Sequence, residues 1–292
     1  MEIIFTCPSD FVFGITLLGI CAATFPNCRI LTFALMNNHI HLIIAGRKED
    51  VLGFFALFKE RLRRYLGGLK RYCRMDNFEA EVFEIPDLRA LRNEIVYVNR
   101  NGYVVHPECT PFSYWWSAGI YFFNSVVQML PTKPFAELTL RDRRAMCHSR
   151  EAGLPDNYRV LEDFRPDRTT QASPLLLATS FCAIREAEQY FLTAHHYFRM
   201  ISRDIEAFSE VARRLGDRIF LTDEELYGAV LAICAKEYDT THPGLLPAAQ
   251  KQDVARRMHF DYNASNKQIQ RILKMSSSDT EALFPQLRGP SS

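Results

Sequence analysis

The sequence predicts an α+β domain, built as an antiparallel sheet with packed helices, followed by an all-helical C-terminal region. Three patterns lead to this class. Apolar, β-prone residues fill 32–36 and 40–45, apolar residues recur at helical spacing from 50 to 102, and short segments opened by capping residues follow residue 221. We expect three regions: residues 1–125, a linker and helical region at 126–220, and a helical region at 221–292.

Composition narrows the class of protein. The chain has 292 residues and a formal net charge of +1, so its overall charge does not indicate a nucleic-acid partner. Eight cysteines are scattered without a C-x-x-C pair, which is typical of reduced thiols and not of a disulfide frame or a zinc knuckle. The apolar run at 11–25 follows two acidic residues and is too short to span a bilayer. We expect a cytoplasmic protein without a membrane partner.

The first elements lead to a pair of histidines. Residues 1–5 are strand-like, a helix is expected from Asp10 to residue 24, and residues 28–34 lead into the strand that carries His39 and His41. Residues two apart in a strand share a face, so both imidazoles point the same way. Such a pair is half of a divalent metal site, although ordinary polar strand faces also contain it. We expect a central strand here.

A basic helix is predicted at residues 50–75, with a possible break at Gly67 and Gly68. Leu52, Phe55, Phe58, Leu62 and Leu66 form its expected buried stripe. Its polar face is strongly basic and contains Lys59, Arg61, Arg63, Arg64, Lys70, Arg71 and Arg74. This face is either a solvated surface or a phosphate-binding surface, and the charge pattern alone does not choose between them.

A further helix is predicted at residues 87–102, with Asp87 as N-cap and Gly102 as its stop. Leu88, Leu91, Ile95 and Val98 make its core-facing stripe. Tyr97 and Asn101 are one turn apart and share a face beside that stripe, and Glu94 lies one turn before Tyr97. This pair is either a surface accident or a nucleophile with a third metal ligand. Tyr65 and Tyr72 are rival nucleophiles, but neither has an asparagine four residues later.

The remaining chain is expected to be mainly turns and helices. We predict turns and short helices at 130–168 and a helical pattern at 173–214, in which His195 and His196 are structural because adjacent helical residues diverge. Thr222, Ser265 and Ser276 are predicted caps, and the last two open a helix-turn-helix module. Candidate phosphate contacts there are Arg256, Arg257, Lys267, Arg271 and Lys274, whereas Asp279 and Glu281 in the final helix would repel phosphate.

Two of these motifs together resemble a known family. The segment Met36-Asn37-Asn38-His39-Ile40-His41-Leu42, followed by Tyr97-Val98-Asn99-Arg100-Asn101, is similar to the REP-associated tyrosine transposases, single-tyrosine members of the His-hydrophobe-His superfamily. Similar landmarks run from about Phe5 to Tyr121 and include Phe58-Lys59 and Pro111-Phe112-Ser113-Tyr114. The family usually has Asn-Pro where this chain has Asn101-Gly102, a departure that keeps the asparagine.

The resemblance implies a fold, a chemistry and a partner. It implies a ferredoxin-like, RRM-like nuclease domain that cuts and rejoins single-stranded or hairpin DNA through a 5′-phosphotyrosine on Tyr97. It also implies Mg²⁺ or Mn²⁺ held by His39, His41 and Asn101, with the helix of Tyr97 packed over the face of the histidines. Two alternatives stay open: a DNA-binding or regulatory protein that kept the scaffold without cleavage, and a metal-dependent hydrolase without a covalent step. The oligomeric state, monomer or homodimer, also stays open.

Overall fold

The computed structural model of the protein describes residues 3–71, 78–105, 112–149, 153–203, 211 and 221–285. The chain divides into two compact units, Met1–Phe198 and Arg199–Ser292. The boundary predicted after residue 125 falls inside the first unit, and the one predicted after residue 220 adjoins residues outside the described ranges. Helices and small antiparallel sheets occur together in the first unit, which is therefore of the mixed α+β class.

Seven helices and five strands are described between residues 8 and 203. The helices are α1 (Pro8–Thr24), α2 (Lys48–Gly68), α3 (Leu88–Val105), α4 (Ser125–Gln128), α5 (Leu140–Cys147), α6 (Ile184–Gln189) and α7 (Ala194–Arg203). The strands are β1 (Arg29–Leu35), β2 (Ile40–Ala45), β3 (Lys133–Pro134), β4 (Arg159–Phe164) and β5 (Ser173–Leu176).

Strands β1 and β2 form an antiparallel hairpin that confirms the two predicted strand segments. The second edge of β1 is covered by irregular chain: the N–H of Leu35 donates to the oxygen of Trp116 at 2.9 Å, and the N–H of Ala183 donates to the oxygen of Ile30 at 2.7 Å. Among the described residues, β2 pairs with β1 alone. The expectation that the histidines lie on a central strand is therefore wrong for this part of the chain, because β1 is the inner strand.

Helix α3 packs against this hairpin and is buried on all sides from residue 94 to residue 102. Its predicted N-cap is confirmed, since the Asp87 carboxylate accepts the N–H of Ala90 at 2.8 Å. The prediction that Gly102 ends the helix is wrong, because α3 continues to Val105. A Cβ at position 102 would lie 2.1 Å from the Tyr114 ring, so glycine is required here by close approach and not by helix termination.

Residues 126–198 carry a second antiparallel sheet with strand order β3–β4–β5. The expectation of turns and short helices at 130–168 misses β3 and β4, and the expectation of helix is wrong for residues 173–176, which form β5. Strand β5 contains Pro174, which cannot donate an N–H within a helix. Because β5 packs against α1, this region shares the core of the first unit.

Helix α1 accounts for the apolar run at residues 11–25. Leu17, Leu18 and Ile20 are fully buried within the unit, and the helix has 17 residues. No helix in the described part of the chain has both the length and the apolar character needed to cross a bilayer.

Four α-helices are described between residues 221 and 285 of the second unit: α8 (Asp223–Glu237), α9 (Ala248–Phe260), α10 (Asn266–Leu273) and α11 (Ser277–Leu283). The predicted caps are confirmed, because the hydroxyls of Thr222, Ser265 and Ser276 each accept the N–H three residues later. Helices α10 and α11 pack together across the turn 274–276, where Lys274 adopts a left-handed conformation (φ 52°). The predicted pair of short helices is therefore present.

Candidate functional site

The loop of the β1–β2 hairpin brings two imidazoles together. The Nε2 atoms of His39 and His41 are 3.0 Å apart, and their ring planes are inclined by 86°. The N–H of Met36 donates to the oxygen of His39 at 2.9 Å and closes the loop. Both imidazoles therefore lie on one side of the hairpin, although only His41 is on β2 and His39 lies in the loop before it.

The loop is held by the N-terminal segment. The backbone oxygen of Asn37 accepts the N–H of Ile4 at 2.7 Å and that of Phe5 at 2.9 Å. The oxygen of Ile4 in turn accepts the guanidinium of Arg71 at 2.6 Å. The histidine loop is thus tied through the N-terminal segment to the residues that follow α2.

Tyr97 lies over the same face as the histidines. Its ring meets that of His41 edge-on, with ring centroids 5.5 Å apart and planes at 88°. The rings of His39, His41 and Tyr97 are therefore in successive contact. Tyr97 is only 1% exposed, so its pairing with Asn101 is not a surface feature, because α3 is covered on every side.

Asn101 lies one turn after Tyr97 on α3 and is also buried, with 5% of its surface exposed. Its Nδ2 atom is buried and has no hydrogen-bond partner among the described residues. A buried polar atom left without a partner costs about 1–3 kcal/mol, and active sites are one place where such atoms are retained. Glu94, one turn before Tyr97, is buried as well.

The histidine pair fits one edge of an octahedral metal site. Two ligands at right angles and 2.1 Å from a metal are about 3.0 Å apart. The separation of the two Nε2 atoms is the same, 3.0 Å. No three His, Cys, Asp or Glu side chains in the described ranges form a group that could hold a metal. The predicted third ligand, Asn101, is of a different residue type.

A buried polar network that the sequence did not indicate fixes α3 against its neighbours. The Asn99 carboxamide accepts the hydroxyl of Thr32 on β1 and donates to the hydroxyl of Tyr197 on α7 at 2.9 Å. Tyr197 is itself buried in an aromatic cluster that includes Phe122 and Phe191. Asn99 lies two residues after Tyr97 on α3, and its hydrogen bonds therefore hold the helix in position. The sequence offered no signal that singles out Asn99, because Arg100 and Asn101 follow it directly and are also polar.

Tyr65, one rival nucleophile, has a structural contact. Its hydroxyl donates to the buried carboxylate of Asp10 at 3.0 Å, and Arg71 donates to the same carboxylate at 2.6 Å. Burial raises the pKa of the Tyr65 phenol, and the charge of Asp10 raises it further. This environment disfavours the phenolate that a nucleophile needs. Tyr72, the other rival, lies outside the described residues.

The basic residues of α2 do not form one open surface. Arg63 and Arg64 both bind the carboxylate of Glu60, at 3.0 Å and 2.7 Å. Arg61 turns toward the backbone of Gly153, where a Cβ would lie 3.6 Å from its Nη1 atom. Lys59 is half-buried and Lys70 is exposed, while Arg71 is held in the ion pair with Asp10. Arg74 lies outside the described residues.

Of the basic residues predicted in the second unit, two form ion pairs and three do not form one with the described residues. Arg257 binds Glu237 at 2.7 Å, and Arg271 binds Asp223 at 2.7 Å. The other three candidates are exposed, and none has an ion-pair partner among the residues that the structure describes: Arg256, Lys267 and Lys274. Surface ion pairs are weak, so the paired residues can still exchange partners.

Comparison of the chain with protein-family models, with curated proteins and with solved structures finds no match. Of the four residues predicted for the centre, His39, His41 and Tyr97 are in ring contact, and Asn101 follows Tyr97 by one helical turn.

Proposed function

We propose that this protein is a metal-dependent, transposase-like enzyme that cleaves and rejoins single strands of hairpin-bearing DNA through a 5′-phosphotyrosine. The observation that carries the proposal is the meeting of two imidazole Nε2 atoms, 3.0 Å apart, with the ring of Tyr97 packed on His41. An antiparallel hairpin with a helix packed on it is compatible with the ferredoxin-like domain that the resemblance to REP-associated tyrosine transposases implies.

The proposed reaction is a transesterification. The Tyr97 oxygen forms a bond to phosphorus, the bond from phosphorus to the 3′ oxygen breaks, and the phenolic proton is lost while the leaving oxygen gains one. The phosphotyrosine keeps the energy of the diester, so a 3′-hydroxyl can reverse the step without ATP. His39, His41 and Asn101 would hold Mg²⁺ or Mn²⁺, which when bound supplies positive charge against the scissile phosphate.

The surroundings of the tyrosines support Tyr97 as the nucleophile. Tyr97 lies against His41, whereas the Tyr65 hydroxyl is hydrogen-bonded to a carboxylate that disfavours its ionisation. Tyr97 is followed one turn later by Asn101, and Tyr65 has no such partner.

DNA contacts are proposed on two surfaces. In the first unit they are the basic residues of α2 and of the residues that follow it. Lys70, which follows α2, is exposed and has no ion pair among the described residues. In the second unit they are the exposed residues Arg256, Lys267 and Lys274 around α10. Contacts of this kind go to phosphates and weaken steeply as salt rises.

Covalent trapping tests the proposal. Incubated with Mg²⁺ or Mn²⁺ and a panel of hairpin-bearing single strands, the protein should form a DNA adduct that survives denaturing electrophoresis. Tyr97→Phe removes one oxygen and should abolish the adduct while DNA binding persists. Tyr65→Phe is the matched control and should still form the adduct. An adduct that persists in Tyr97→Phe would contradict the assignment of the nucleophile.

The burial of Tyr97 favours a second function, a DNA-binding or regulatory protein without cleavage. A hydroxyl that attacks DNA must reach phosphorus, and a side chain that is 1% exposed can do so only if the site opens. This second function predicts salt-sensitive hairpin binding with no adduct on any substrate, and equal binding in the presence of metal or of a chelator. Metal-dependent adduct formation would exclude it.

A further inference from the structure

The side chain of Asn38 contacts the imidazole of the first histidine. The Asn38 Oδ1 atom is 2.7 Å from Nδ1 of His39, within the hairpin loop. An amide oxygen only accepts hydrogen bonds, so Nδ1 of His39 carries the proton in this contact. In a neutral imidazole the other nitrogen, Nε2, is then the lone-pair atom, and it is this atom that faces His41.

The backbone around Asn38 is fixed on both sides. The preceding residue, Asn37, accepts two N–H groups from the N-terminal segment, and the N–H of Met36 binds the oxygen of His39. The backbone on both sides of Asn38 is therefore constrained. Its carboxamide contacts the His39 ring at Nδ1 and not at Nε2. The neighbouring Asn37 side chain is exposed and makes no hydrogen bond to the described residues.

We infer that Asn38 is a positioning residue, which holds the His39 ring and its Nδ1–H tautomer so that Nε2 is preset as a metal ligand. The inference rests on the proposed metal centre of His39 and His41. With His39 Nε2 as acceptor, a hydrogen bond across this 3.0 Å contact has His41 Nε2–H as its donor.

Metal affinity should respond to Asn38 and not to Asn37. Loss of an outer partner of a metal-bound histidine typically lowers affinity about 10–100-fold. Asn38→Leu keeps the approximate size but removes the acceptor, so the Kd for Mn²⁺ should rise by that factor. Asn38→Asp restores an acceptor and should bind Mn²⁺ at least as tightly as the unmodified protein. Asn37→Leu, the matched control in the same loop, should leave the Kd unchanged.

The experiment combines Mn²⁺ titration calorimetry with ¹⁵N spectra of histidine side chains in the metal-free protein. The spectra should show the Nδ1–H tautomer for His39, and Asn38→Leu should mix its tautomers. Unchanged Mn²⁺ affinity in Asn38→Leu, or an equal loss in Asn37→Leu, overturns the inference and leaves the metal centre standing. Absence of Mn²⁺ binding in the unmodified protein overturns the metal centre and the inference together. If Asn38→Leu does not fold, an Nε2–H tautomer of His39 in the unmodified protein overturns the inference.

Discussion

Removing the hydroxyl of Tyr65 should destabilise the first unit without affecting the proposed chemistry. The hydroxyl donates to the Asp10 carboxylate at 3.0 Å, and this carboxylate is fully buried. A hydrogen bond to a charged group contributes about 1.5–3 kcal/mol. In Tyr65→Phe the ring can keep its stacking on Phe13, whose centroid is 4.1 Å away, so the loss is confined to the hydrogen bond.

The size of the effect can be read from thermal unfolding. For a unit of about 200 residues, each kcal/mol lowers the Tm by about 2–4 °C, so the expected decrease is about 3–12 °C. Tyr158→Phe is the matched control in the same unit, because the Tyr158 hydroxyl makes no hydrogen bond to the described residues and its loss should change the Tm little. Circular dichroism of both variants gives the comparison. Equal shifts in the two variants, or loss of the DNA adduct in Tyr65→Phe, would refute the structural role of Tyr65.

Three further predictions follow from other contacts. Gly102→Ala places a Cβ 2.1 Å from the buried Tyr114 ring and should cost about 1–3 kcal/mol in urea unfolding, despite the better helix propensity of alanine; a stabilised variant would show that the ring moves freely. Burial raises the pKa of Asp10, but hydrogen bonds from Arg71, Thr6 and Tyr65 outweigh it and hold the pKa below its ordinary value. The stabilisation is then present above about pH 4 and is lost as the pH falls through the lowered pKa. The difference in unfolding free energy between the unmodified protein and Asp10→Asn should therefore become smaller from pH 6 to pH 3. A difference that stays constant or grows would contradict this sign. Lys267→Gln should reduce the slope of log K against log salt for duplex DNA by about 0.9, as expected for one lost phosphate contact. In the same salt titration Arg271→Gln, on the same helix but paired with Asp223, should change it less.

Much of the local structure followed from the sequence. The spacing of His39 and His41 predicted that both rings point the same way, and the spacing of Tyr97 and Asn101 predicted that they lie one helical turn apart. The three serine and threonine caps of the second unit were also predictable, because each satisfies N–H groups within its own helix. These features depend on the 2.0 and 3.6 residue periods of the backbone, which require no knowledge of distant contacts.

The contacts between elements were decided only by the tertiary structure. Tyr97 meets His41 although 56 positions of chain separate them, and Asn99 joins Thr32 to Tyr197 across separations of 67 and 98 residues. The charge of Arg71 predicts a phosphate contact, but in the fold it neutralises a buried aspartate on α1. The position of Gly102 predicts a helix stop, yet glycine is required there because the aromatic ring of residue 114 packs on the helix. The charge and size of a side chain can be read from the sequence. The group that the side chain contacts depends on how distant elements pack, and that packing has no repeating period in the sequence.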